Sequence, residues 1–110
     1  MFGLKEKHID AINKCFAQYA AIEQVYVYGS RAMGNYKPGS DIDLTIIGSL
    51  DFSQLLKLEN ELDDLLFPYK IDLSLHHQIS NPALLDHIKR VGKVFYSRET
   101  APAIKEPEVF

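Results

Sequence analysis

Gly29-Ser30-Arg31-Ala32-Met33-Gly34-Asn35-Tyr36-Lys37-Pro38-Gly39-Ser40-Asp41-Ile42-Asp43-Leu44 joins the end of one apolar segment to the start of another. Upstream of it, Gln24-Val25-Tyr26-Val27-Tyr28 is β-branched and aromatic and stops at Gly29, which predicts a strand. Between the two segments, Gly34 to Ser40 is loop chemistry, with Pro38-Gly39 a turn signal. Downstream, Ile42 to Ile47 predicts a second strand, ended by Gly48-Ser49. A strand that ends in Gly-Ser lets backbone amides approach a phosphate closely, because glycine has no Cβ, and the serine hydroxyl adds a donor. Asp41 and Asp43 stand at i and i+2, so a strand projects them from one side while Ile42 and Leu44 point the other way, into a core.

Working outward, Ile9, Ile12, Phe16 and Tyr19 or Ala20 recur at steps of three and four, which predicts a helix from Lys5 to Ala21. After the second strand, Asp51 is placed to cap a helix with the stripe Leu55, Leu58, Leu62, Leu65 and Leu66, closed by Pro68. Lys70-Ile71-Asp72-Leu73-Ser74-Leu75 alternates as a third strand does. Asn81-Pro82 opens a helix through Leu84, Leu85, Ile88 and Val91 that stops at Gly92, and Val94-Phe95-Tyr96 is a short final strand. Helices alternating with strands make an α/β (α+β) fold, a mixed β-sheet backed by helices. No repeat or linker divides the chain, so residues 1–96 are expected to form one domain and 97–110 a loosely held tail.

Composition narrows the function. Twelve Lys+Arg against fifteen Asp+Glu leave a net charge of −3, which argues against gripping duplex nucleic acid. The single cysteine, Cys15, excludes an internal disulfide framework and a CxxC metal or redox motif. No apolar run approaches a membrane span and no signal-peptide core is visible, so a cytoplasmic protein is expected.

Two carboxylates side by side repel, and a divalent cation removes that cost. Mg²⁺ is commonly held by one or two carboxylates plus substrate phosphates. Asp72, flanked by Ile71 and Leu73 as Asp43 is by Ile42 and Leu44, can join the pair if the two strands are neighbours. Three carboxylates beside a phosphate cradle suit two-metal phosphoryl-type transfer.

Gly29-Ser30, ten intervening residues, Asp41-x-Asp43 and the later Asp72 together resemble the signature of the DNA-polymerase-β-like nucleotidyltransferases. The short chain resembles in particular the minimal nucleotidyltransferases (MNT), the antitoxins of MNT/HEPN toxin–antitoxin pairs. The resemblance implies a polymerase-β-like fold, two Mg²⁺ ions, and transfer of a nucleoside monophosphate from an NTP. By that resemblance Asp41, Asp43 and Asp72 would be the catalytic and metal-binding acids, with Asp72 nearest the attacking hydroxyl. Gly29 and Ser30 would fix the β- and γ-phosphates, and Arg31 would neutralise the leaving pyrophosphate. The family often has a second basic residue where this chain has Met33, which leaves Arg31 as the motif cation and Lys37 as a flexible substitute. The donor implied is ATP and the acceptor a protein hydroxyl, a tyrosine of a HEPN-type toxin, because so short a chain must borrow its acceptor surface from a partner. The alternative is a binding module that neutralises the partner by complex formation without turnover. A masking protein has no need of a carboxylate cluster, which favours the enzyme.

Other candidates read as ordinary. His76 and His77 are adjacent and would face opposite ways on a strand, while His8 and His87 read as helix-surface residues. Tyr26 and Tyr28 suit strand packing, Tyr36 in the loop could touch a base, and Cys15 reads as a small apolar residue.

Overall fold

A computed structural model describes residues 1–98 of the chain. Its elements run α1 (Glu6–Ala17), β1 (Ile22–Tyr28), α2 (Gly29–Met33), β2 (Ile42–Gly48), α3 (Phe52–Asp63), β3 (Ile71–Leu75), a 3₁₀ turn (His76–Gln78), α4 (Pro82–Val91) and β4 (Lys93–Ser97). The strands form one mixed sheet in the order β3-β2-β1-β4. β1 is antiparallel to both β2 and β4, and β2 is parallel to β3, joined to it by the crossover helix α3. The sheet and alternating helices expected from the periodicities are present.

Strand alternation divides the sheet into two unlike faces. Val25, Val27, Ile42, Leu44, Ile46, Leu73 and Leu75 are buried and pack with Ile12 and Phe16 of α1 and Leu55, Leu58 and Leu62 of α3. Their intervening neighbours Tyr26, Tyr28, Asp43, Thr45, Asp72 and Ser74 belong to the opposite face. α4 packs against β1 and α2. Its Leu85 and Ile88 meet Tyr26 and Ile47 around a cavity of about 440 Å³.

Local chemistry sets the helix ends. The Asp51 carboxylate accepts from the Gln54 N–H while the Gln54 side chain accepts from the Asp51 N–H, a reciprocal capping box for α3. Asn81 Oδ1 accepts from the N–H groups of Ala83 and Leu84 to start α4, with Pro82 in its first turn.

Several boundaries differ from the expectation, among them α1, which ends at Ala17 rather than Ala21, and β1, which begins at Ile22 rather than Gln24. Gly29–Met33, given no element of its own in the sequence reading, forms a short helix closed by Gly34 in a left-handed conformation (φ 87°). α3 ends at Asp63, ahead of Pro68, and the chain turns through Leu66 at φ 55°. The sheet also runs past residue 96: Ser97 pairs with Gln24, and Arg98 donates from its guanidinium to the carbonyls of Ile22 and Tyr19. The part of the expected tail from residue 99 onward lies outside the described residues. Among the described residues no helix is long and apolar enough to cross a membrane.

Candidate active site

Register brings two of the three acids together. Asp43 of β2 pairs in register with Asp72 of β3 on one side and with Tyr28 of β1 on the other, so Tyr28, Asp43 and Asp72 form a row across three strands. The next row on the same face is Tyr26, Thr45 and Ser74, where the Ser74 hydroxyl donates to Thr45 Oγ1 at 3.0 Å. Asp41 stands at the threshold of β2, exposed and two residues before Asp43.

The electrostatics follow from this placement. Partial burial lifts the Asp43 carboxyl above the usual carboxylate range, the Asp72 and Asp41 carboxylates push it further, and His87 opposes them. Burial also raises the Tyr28 hydroxyl; Asp43 and Asp72 add to that while Ser74 works against it. The acids therefore repel one another at a half-buried point. Among the described residues no three His, Cys, Asp or Glu side chains close into a ready-made metal cage. What the row offers is oxygen ligands from two register partners with a third acid at the mouth. That donor set fits a hard divalent ion which takes its remaining ligands from water and phosphate.

Gly29 is needed where it stands. Its φ is 71°, and a Cβ there would come within 2.3 Å of Asp43 Oδ2, so a side chain would displace the central carboxylate as well as strain the backbone. Its N–H, expected to face a phosphate, donates instead to Nε2 of His87 at 3.2 Å. Ser30, next along the bend, is half-buried.

Arg31 requires a correction. It was expected to face the leaving pyrophosphate, yet it is 2% exposed and its guanidinium is spent on backbone. Nε and one terminal nitrogen donate to the Ser40 carbonyl (3.1 and 2.9 Å), that same nitrogen reaches Pro38 O (3.2 Å), and the other donates to Phe2 O (3.0 Å). The rings of Tyr36 and Tyr69 lie 5.2 and 5.1 Å from its centre. A guanidinium so engaged is a clamp on the loop that delivers Asp41. Tyr36, the loop tyrosine given a base-contact role, serves that clamp. Met33, where the family often has a basic residue, is 51% exposed.

His87 was missed. It reads as a surface residue because its partner is a backbone N–H distant in sequence; the available signal was spacing, since Leu84 and Val91 lie three before and four after it on the inward stripe of α4. His76 and His77 occupy the 3₁₀ turn that ends β3, so they never take up opposite sides of a strand.

A Gly-Ser bend beside an acid row that crosses β1, β2 and β3 is compatible with nucleotidyl transfer, and the Polymerase beta nucleotidyltransferase domain matches residues 10–101. The chain belongs to that family and is an enzyme of nucleotidyl transfer. It is similar to a candidate protein adenylyltransferase of Methanocaldococcus jannaschii, 30% identical over an alignment of 90 positions, with 68% of this chain and 90% of that protein covered. Its fold is similar to that of a toxin–antitoxin crystal structure with AMP-PNP (TM-score 0.65, 21% identity, 88% of this chain and 77% of the other). Its fold is similar also to that of a chain in the structure of the tri-AMPylated Shewanella oneidensis HEPN toxin in complex with MNT antitoxin (TM-score 0.63, 18% identity, 86% of this chain and 74% of the other).

Proposed function

We propose that this enzyme transfers AMP from ATP to a protein hydroxyl, a tyrosine of a HEPN-type toxin, and thereby acts as an antitoxin. The observation that carries the reading is the in-register pair Asp43 and Asp72 beside the Gly29-Ser30 bend. The candidate adenylyltransferase relative and the toxin–antitoxin fold neighbours support the choice of acceptor.

Asp41, Asp43 and Asp72 would hold two Mg²⁺ ions, which when bound offset charge on the triphosphate and lower the pKa of the acceptor hydroxyl. In the reaction a bond forms between the acceptor oxygen and the α-phosphorus, the bond from that phosphorus to the bridging oxygen breaks, and pyrophosphate leaves. The acceptor proton passes to Asp72, which is exposed at the edge strand where a partner's side chain can approach. Asp43, half-buried in the middle of the row, orients the nucleotide. Ser30 supplies its hydroxyl and N–H to the β- and γ-phosphates.

The test is to co-express the chain with its HEPN-type partner and add Mg-ATP. Intact-mass measurement should show the partner gaining adenylyl groups, and D41N/D43N should abolish the gain. A double variant that still binds and neutralises the toxin without modifying it would show that masking, not turnover, is the function.

A further inference from the structure

His87 lies outside the acid motif and is 58 residues from the bend it touches. Its Nε2 accepts the Gly29 N–H at 3.2 Å, its ring stands edge-on to Tyr28 with centroids 6.1 Å apart, and it bears electrostatically on Asp43. It therefore meets the bend and the acid row together. Gly29 is the residue whose backbone closes on Asp43 Oδ2 and whose positive φ turns β1 into α2. A backbone N–H at such a turn has no helical partner of its own, since the first amides of a helix lack one. Accepting it fixes the bend and ties α4 to α2, two elements that pack on each other.

We propose that His87 is a positioning residue of this active site, held in the Nδ1–H tautomer so that Nε2 seats Gly29 against Asp43. This deepens the proposed function and rests on it. A consequence is a division of labour in the bend: the Gly29 amide is structural, and the phosphate-facing donors begin at Ser30. An acceptor at the Nε2 position is what the site needs, so the amide oxygen of glutamine can substitute for it, while asparagine is too short.

The experiment uses ¹⁵N-labelled full-length chain and the partner assay described above. At about pH 8.5, where free imidazole is neutral, His87 Nε2 should show the unprotonated ¹⁵N signature and a scalar coupling across the hydrogen bond to the Gly29 amide nitrogen. H87A should speed exchange of the Gly29 amide and lower kcat about tenfold, the effect of one lost hydrogen bond of this kind. KM for ATP should stay within about twofold, because the seating of a carboxylate is lost rather than a nucleotide contact. H87Q should recover kcat to within about threefold of wild type and H87N should not. A proton on Nε2, absence of the coupling, or H87Q as impaired as H87A in an equally stable protein would each overturn the inference. The spectroscopic arm needs no turnover: an inactive wild type with the coupling present overturns the proposed function, not the hydrogen bond.

Discussion

The two faces of the sheet are made by the same strands and answer to different demands. On one, Ile42, Leu44 and Ile46 are fully buried against α1 and α3. On the other, the residues between them, Asp43 and Thr45, stand in rows with Asp72 and Ser74. The first face gains from every apolar contact, whereas the second gathers like charges that repel one another. The alternation lets a stable core carry an unstable cluster one residue away. It predicts that neighbouring substitutions in β2 will have opposite signatures.

The largest separation should come from L44A. Deleting a fully buried leucine should cost about 2–5 kcal/mol of stability, read as a fall in Tm with activity lost only through unfolding. A small loss would mean that α1 and α3 collapse readily onto the gap and that the core face is less tightly packed than its burial indicates.

Next is the clamp. R31K should cost about 1–3 kcal/mol, because one ammonium cannot serve the carbonyls of Phe2, Pro38 and Ser40. Amide exchange at Ser40, whose N–H donates to Lys37 O, should quicken with it. An unchanged Tm with a several-fold higher KM for ATP would instead restore Arg31 to the nucleotide.

The smallest effect tests the sign of the electrostatics. Asp43's carboxyl is raised in the fold above its ordinary 3.8, so the folded state binds more protons and stability falls as pH rises from 3.8 through the raised value. D43N should therefore be more stable than wild type at neutral pH without metal, by a few tenths of a kcal/mol, and lose that advantage below pH 3.8. An Asp43 that stabilises the metal-free fold at neutral pH would show that the row is not repulsive.

The same contrast explains what could be read from the residues alone. Core periodicities in α1, α3 and α4 and the alternation of β2 and β3 are local, so the sheet and its helices were legible. The placement of Asp43 and Asp72 was legible too, because alternation sets their side on β2 and β3, whereas Asp41 lies just outside β2, where the i and i+2 strand argument does not reach it. Arg31 and His87 were not. Each makes its decisive bond to backbone, Arg31 to the carbonyls of Phe2, Pro38 and Ser40 and His87 to the N–H of Gly29. Main-chain groups occur at every residue, so no pattern of side chains marks which of them will be the partner. Helix α2 was hidden for a related reason: the five residues Gly29 to Met33 carry too little periodicity to declare themselves.

The central claim is that the Asp43–Asp72 row is where nucleotidyl transfer occurs. Wild type, D43N and D72N, each checked for an intact fold by melting, should be given ATP labelled at the α- or the γ-phosphate together with Mg²⁺ and the partner. The account predicts that α-label, and not γ-label, enters the partner with wild type. Both variants should lose about three orders of magnitude in rate, the several kcal/mol expected of such charge stabilisation. A folded D43N or D72N that incorporates label at the wild-type rate would contradict it.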